Sequence, residues 1–385
     1  MTNQERRILI VAGEASGDLH ASKLVRAIRE ADPDHTYNFF GAAGPQMREN
    51  GVEAIVAADE LSIVGLAEIA GSLPMFWKAR KDLLRAASDR MPDAAILVDF
   101  PDFNLKIAGA LKKLGIKVVY YISPQVWAWR RYRLKTIKRS VDLLLTILPF
   151  EKEWFRRQGV EDVEYVGSPL AREVFPTRTK MEFCDLAGLD PERPIIALLP
   201  GSRQKEIERI LPVLIDAAAI VAGDHPDAQF GIAAASASSR DKILSILKEK
   251  SISEGFSVLE GETYNLLYAA DAAAVTSGTA TMEAGIIGTP LVIVYKTSGL
   301  NYTLLEPLIS VEHYGLINLI AGERLAKELI QHDLTPATLA REIIKLLEPG
   351  ENRRHRERLA IAAEKLGRGG ASKRAAELIV ELIER

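Results

Sequence analysis

Two short loops in the second half of the chain carry residue types that bind phosphate. Thr276-Ser277-Gly278-Thr279 follows the apolar run Ala272–Val275 and opens a helical pattern that continues through Ile287. A buried strand that stops at small polar residues reads this way. A helix that starts in Ser-Gly-Thr offers unpaired backbone N–H groups, hydroxyls and the positive end of its dipole, and a phosphate suits that site. Glu283 lies one turn beyond Thr279, where a carboxylate could reach a ribose hydroxyl. Taken alone, the stretch also reads as an ordinary N-capped helix. The second loop, Pro200-Gly201-Ser202-Arg203, follows the apolar strand Ile195–Leu199 and opens a helix from about Gln204 to Ala222. Its Arg203 adds a guanidinium able to hold phosphate oxygens bidentately. Two such loops at strand ends of one αβ array suggest a single diphosphate held between them. Neither has Walker A spacing and no G-x-G-x-x-G opens the chain, so a nucleotide sugar fits better than ATP or NAD.

The first half supplies groups that could serve a polyol. Gly13-Glu14-Ala15-Ser16-Gly17-Asp18 leaves the buried strand Ile8–Ala12, and its glycines allow a ligand close to the backbone. The same residues could instead form a helix N-terminus, with Ser16 as cap and Asp18 favouring the dipole. Asp99 ends the apolar strand Ala94–Val98 and should point into a cleft. There it could take the proton of a sugar hydroxyl attacking an anomeric carbon, and its charge would steady an oxocarbenium-like transition state. Asp102 competes for that role, although it reads better as the cap of the helix from Phe103. The six histidines are scattered without a His-x-x-x-His pair, which argues against zinc. Cys184 is the only cysteine, so no intrachain disulfide exists and a reducing compartment fits.

Two stretches combine aromatic and cationic residues. Trp127 and Trp129 flank Ala128, and Arg130, Arg131, Arg133, Lys135, Lys138 and Arg139 follow without an acidic residue between them. Leu73–Lys81 sets Met75, Phe76 and Trp77 beside Lys78, Arg80 and Lys81. The first surface suits nucleic acid, phosphorylated ligands or anionic membrane faces, and the second suits a helix lying in a bilayer interface. The alternatives are a solvated helix face over buried tryptophans and a core-facing stripe.

These loops need strands and helices to hold them. Short apolar runs alternate with helical patterns along the chain, which predicts an α/β protein with parallel sheets and right-handed crossovers. At 385 residues two domains are expected. The first is 1–170, joined by C-terminal helices in 352–385, and the second is 171–351. Helices are expected over Gly65–Arg90, Arg324–Gln331, Pro336–Leu347, Asn352–Leu366 and Ala371–Ile383. A net charge of −3 argues against nucleic acid as the main partner. The N-terminal sequence lacks a signal peptide's apolar length, and no apolar run approaches the roughly 18 residues of a membrane span.

Six motifs together resemble the lipid A disaccharide synthases, bacterial glycosyltransferases of GT-B architecture. They are Gly13–Asp18 (GEASGD), Asp99–Asn104 (DFPDFN), Ser123–Arg130 (SPQVWAWR), Pro149–Glu151 (PFE), Leu199–Arg203 (LPGSR) and Thr276–Gly285 (TSGTATMEAG). All six stand in the family's order, and the likeness runs nearly end to end. The resemblance implies two Rossmann-like parallel-sheet domains facing a central cleft. It also implies an inverting transfer from UDP-2,3-diacylglucosamine to 2,3-diacylglucosamine 1-phosphate, releasing UDP. Asp99 would be the general base. Glu14, Ser16, Gly17, Asp18 and Gln125 would bind sugar or acceptor. Gly201, Ser202, Arg203, Ser277, Gly278, Thr279, Glu283 and Asn318 would hold UDP. No cofactor or metal is expected, since helix dipoles and basic groups can offset the diphosphate's charge. The protein would sit on the cytoplasmic face of the inner membrane as a peripheral protein, touching it through Met75, Phe76, Trp77, Arg131, Arg133 and Lys135. A homodimer is plausible. Two positions depart from the family pattern: Ser168 stands where a histidine usually follows the glycine, and Ile317 precedes Asn318 where proline is common. Other GT-B enzymes acting on UDP-GlcNAc, or a non-catalytic nucleotide-sugar scaffold, are the alternatives.

Overall fold

Among the described residues, thirteen parallel strands in two sheets form the framework of this computed structural model. It describes residues 5–59, 69–252, 254–297, 312–367 and 369–385, with the side chains of 69–73 left aside. The chain divides into two compact units, Met1–Pro169 with Gly369–Arg385, and Leu170–Arg368.

In the first unit the strands are β1 (Glu5–Val11), β2 (Thr36–Ala43), β3 (Val52–Ala57), β4 (Ala94–Val98), β5 (Lys117–Tyr121), β6 (Leu143–Thr146) and β7 (Val163–Tyr165). They lie in the order β3-β2-β1-β4-β5-β6-β7. The central strands are continuous apolar runs because helices cover both faces. Ile8 and Ile10 point into one core while Leu9 and Val11 point into the other. The C-terminal helix Ala371–Glu384 closes the first of these cores with Ala375, Ile379 and Ile383, packed beside the helix Ala15–Ala31.

The second unit holds β8 (Ile195–Leu199), β9 (Gln229–Ala234), β10 (Phe256–Glu260), β11 (Ala272–Thr276), β12 (Leu291–Tyr295) and β13 (Lys327–Ile330), in the order β10-β9-β8-β11-β12-β13. Here too alternate residues feed opposite cores, Ile196 and Leu198 against Ala197 and Leu199.

Two expectations change. The stretch predicted as a helix over Arg324–Gln331 contains strand β13, paired in register with β12 from Val292↔Lys327 to Tyr295↔Ile330. Its residues favour a helix locally, but an open sheet edge outweighs that preference. Helix Pro349–Glu364 belongs to the second unit rather than joining the first. Arg356 fixes it there, donating to the carbonyls of Gly288 and Ala270 at 2.9 and 3.0 Å, while Asn352 donates to that of Asp271 at 2.7 Å. The long helix is described from Ile69 to Arg90; its expected start at Gly65 lies outside the described residues.

Candidate active site

Each sheet reverses its winding once. After β1 the chain adds β2 and β3 on one side, then returns to place β4 on the other; β8 and β11 stand in the same relation. Loops leaving the carboxyl ends of such strands flank the crevice where open α/β sheets bind ligands. The expected chemistry sits on these loops. Gly13–Asp18 follows β1 and Asp99 follows β4 in one unit; Pro200–Arg203 follows β8 and Ser277–Thr279 follows β11 in the other.

Asp99 occupies a strained corner. Asp99 and Phe100 both take left-handed backbone conformations, at φ 45° and 47°. Each costs of order 1–3 kcal/mol for a non-glycine residue and persists only where its surroundings enforce it. The enforcement is visible. The Asp99 N–H donates to the Tyr121 carbonyl at 2.9 Å, and the Asp99 carbonyl accepts from the Tyr120 hydroxyl at 2.6 Å and from Asn104 Nδ2 at 2.8 Å. Phe100 packs against Phe76 and Phe103. Gly13 makes room for the Phe100 ring, since a Cβ there would come within 2.3 Å of it. The clamp sets a largely buried carboxyl at the end of β4. Burial, and next the charge of Glu14, push its pKa up to about 6. That value suits a base that must be ionised near neutral pH yet accept a proton readily.

The other residues of the first unit divide by role. Glu14 and Ser16 are exposed, whereas Gly17 is buried in the helix Ala15–Ala31, close against Ala12 and the Val98 carbonyl. Asp18 is a correction: it is 3% exposed and accepts from the backbone N–H groups of Gly44, Gln46 and Met47 at 2.8–3.1 Å. It caps the short helix Pro45–Glu49, so its carboxylate supports the fold instead of meeting a sugar. Gln125 is exposed on the loop after β5. Trp127 is buried under that loop; its indole donates to Glu151 Oε1 at 2.9 Å and meets the Phe150 ring edge-on. Glu151 is also fully buried, accepts from the Leu148 N–H at 3.0 Å, and burial raises its pKa to about 7. This explains why PFE accompanies SPQVWAWR: the second motif anchors the first. Asp102 is exposed and paired with Arg130 and Arg133, so it is not the base.

The aromatic and basic stretches are less exposed than expected. Met75 and Phe76 pack against the core and Arg133 is buried on Asp102, so these three are removed from the surface set. Trp77, Tyr132, Arg131 and Lys135 remain exposed. Leu73 lies outside the described side chains.

In the second unit, the Thr276 hydroxyl donates to the Leu199 carbonyl at 2.8 Å and ties the ends of β8 and β11 together. Gly201, at φ 107°, turns the first loop where a Cβ would strike the Glu206 carboxylate. Ser202 and Arg203 follow, both exposed. Arg203 Nη1 donates to Glu206 Oε1 at 2.8 Å, and its side chain is 74% exposed at the start of the helix Gln204–Asp224. Gly278, at φ 148°, leads into the helix Thr279–Ile287, which no side chain caps, and Thr279 is exposed there. This leaves backbone donors for an anion. The Ser277 hydroxyl donates to the Tyr314 carbonyl at 2.6 Å, so its proton is already committed. Glu283 is partly buried, accepts from Tyr264 at 3.2 Å, and burial holds its pKa above the usual carboxylate range. Asn318 is the second correction. It is fully buried; Nδ2 donates to the Ala326 carbonyl and to Glu328, and Oδ1 accepts from Ala326 N–H, all at 2.8–2.9 Å. It fastens its helix to β13, so its side-chain amide is committed to the fold. Ser168 is buried, so the position where the family usually has histidine is packed interior here. Among the described residues no three His, Cys, Asp or Glu gather as a metal site, and no helix is long and apolar enough to cross a membrane.

Sequence reasoning missed the supporting roles of Tyr120, Asn104 and Glu151, and it placed Thr276 in the ligand loop without its tie to Leu199. Asn104 and Glu151 end motifs already singled out; Tyr120 sits in an apolar strand and gave no signal of its own.

Two parallel sheets with ligand loops at matching reversal points define a GT-B fold. Solved structures agree: a putative UDP-N-acetylglucosamine 2-epimerase from Listeria monocytogenes superimposes with a TM-score of 0.67 at 15% identity, covering 99% of this chain and 97% of that one. CalG4, the calicheamicin glycosyltransferase, does so at 0.58 and 16% identity, covering 99% of each chain. The chain belongs to the lipid-A-disaccharide synthetase family, whose model matches residues 8–382. Lipid-A-disaccharide synthases from Myxococcus xanthus and Trichlorobacter lovleyi are 43% and 42% identical, covering 100% and 98% of this chain and 99% and 98% of their own lengths.

Proposed function

We propose that the protein is an inverting glycosyltransferase of lipid A biosynthesis, joining UDP-2,3-diacylglucosamine to 2,3-diacylglucosamine 1-phosphate. The products are the β-1,6-linked tetraacyl disaccharide 1-phosphate and UDP. The observation that carries the reading is the clamped Asp99 carboxyl at the end of β4, in a chain of this family. The acceptor 6-hydroxyl attacks the anomeric carbon of the donor while the bond from that carbon to the UDP oxygen breaks. Asp99 receives the hydroxyl proton, and attack opposite the leaving group inverts the centre. The UDP phosphates leave toward Arg203 and the uncapped N-terminus of the helix Thr279–Ile287, whose donors and dipole offset the developing charge. Glu283 takes the ribose. On this reading transfer needs no divalent metal, and saturating EDTA should leave kcat unchanged.

Both substrates carry acyl chains, so the enzyme works at the anionic inner membrane, held peripherally by Trp77, Tyr132, Arg131 and Lys135. Charge reversal of Arg131 and Lys135 should reduce flotation with anionic vesicles, and unchanged flotation would reject this basic contact. The transfer itself is tested by mass spectrometry of products formed from both acylated sugars. The tetraacyl disaccharide 1-phosphate is expected; turnover of unacylated UDP-GlcNAc instead would point to another GT-B enzyme.

A further inference from the structure

A second charged constellation lies beside the Asp99 corner and has no part in the mechanism above. Asp102 accepts from Arg130 Nη1 on both carboxylate oxygens, each at 2.9 Å, and from Arg133 Nη2. Two guanidinium groups on one carboxylate leave a net positive charge. Arg133 is only 6% exposed, so it anchors Asp102 from inside the protein. Arg130 is set at the surface by a left-handed backbone, φ 55°, and its guanidinium lies over the Trp129 ring, 4.1 Å from the centroid. Arg133 approaches the same ring at 6.0 Å.

This geometry leaves Arg130 incompletely used. Only Nη1 is engaged, so among the described residues Nε and Nη2 form a planar donor edge with no partner. Such an edge matches two oxygens of a phosphate. A guanidinium already fixed by a carboxylate and an aromatic face loses little further freedom on binding. The position also fits the reaction. The charges of Asp99, Arg133 and Asp102 all act on the Tyr120 hydroxyl, which in turn holds the Asp99 carbonyl. The braced pair is therefore close to the base that must meet the acceptor's 6-hydroxyl. Trp129, 44% exposed, offers an apolar surface next to the free edge.

We infer that Arg130, braced by Asp102 and Arg133 over Trp129, binds the phosphate monoester of the acceptor sugar. This rests on the acceptor assigned above and names the group that selects it. Recognition of the monoester explains why a strand-end loop with no role in the proton transfer carries a stacked and ion-paired arginine.

The test compares 2,3-diacylglucosamine 1-phosphate with 2,3-diacylglucosamine as acceptors in the same detergent micelles, for the parent enzyme and for Arg130→Gln. The parent should prefer the phosphorylated acceptor. Arg130→Gln should lose roughly 10- to 100-fold in kcat/KM on that acceptor while changing little on the dephosphorylated one, with UDP affinity retained. Arg130→Lys, which keeps the charge but not the fork, should fall between, and it serves if the glutamine variant unfolds early. Equal losses on both acceptors, or undiminished discrimination in the variant, would overturn the inference. So would a loss confined to binding of anionic phospholipid vesicles, which would assign the arginine to headgroups. If the parent transfers to neither acceptor, the transfer reading itself fails. Calorimetric titration with glucosamine 1-phosphate against glucosamine then decides the subsite, with phosphate-dependent binding lost in Arg130→Gln supporting it and equal binding overturning it.

Discussion

Replacing Asp99 by Asn should make the protein more stable and nearly inactive. The carboxyl is largely buried at the end of β4, and burial with the Glu14 charge raises its pKa from 3.8 to about 6. A rise of about two pH units, at 1.36 kcal/mol each, corresponds to roughly 3 kcal/mol of destabilisation when the group is ionised. The sign follows from proton binding. Between pH 4 and 6 the folded state holds the Asp99 proton more tightly than the unfolded chain, so stability falls as pH rises through this window. Above it the deficit is constant, and well below the unfolded pKa of 3.8 both states are protonated and it vanishes. Asparagine keeps the shape, tolerates the left-handed backbone and carries no charge. Denaturant unfolding of parent and variant at pH 8, 5 and 4 provides the assay. The variant should be more stable by about 3 kcal/mol at pH 8, by roughly half that at pH 5, and by only about 0.5 kcal/mol at pH 4. A variant no more stable at pH 8, or a gain independent of pH, would refute the account of Asp99 as a buried carboxylate held ionised at a cost.

Glu14→Gln removes the charge that helps raise the Asp99 pKa, so the acidic limb of the kcat/KM profile should move to lower pH; a shift upward would contradict the placement of Glu14. Tyr120→Phe removes one of the two side-chain donors on the strained Asp99 carbonyl. A base displaced by about 1 Å can cost up to 100-fold, so kcat should fall while UDP affinity, measured calorimetrically, stays constant. Arg203→Ala should weaken UDP by about 1.5–3 kcal/mol, roughly 10- to 150-fold in Kd, for the loss of one charged hydrogen-bonding group.

Much of this architecture could be read from local patterns. Wholly apolar short runs such as Ala94–Val98 and Ala272–Val275 are legible as buried parallel strands, and the loops after them locate the site. The helix–strand confusion at Lys327–Ile330 arose because edge pairing with β12 is invisible in a short stretch of good helix formers. Asp18 and Asn318 were misread for a related reason. Each is polar and next to a ligand loop, but what it bonds to depends on segments 26 and 8 residues away. Arg133 shows the same limit, since its burial depends on Asp102, 31 residues earlier. Conversely, the clamp on Asp99 required strand neighbours to be known: Tyr120 reaches it only because β5 lies beside β4.

The most direct measurement is product formation by the parent enzyme and Asp99→Asn from the two acylated substrates at pH 8, with UDP binding followed in parallel. The account predicts tetraacyl disaccharide 1-phosphate and UDP in equal amounts from the parent, and a variant that binds UDP normally but makes almost no product. Undiminished turnover by the variant, or loss of its UDP binding together with its activity, would contradict the assignment of Asp99 as the base.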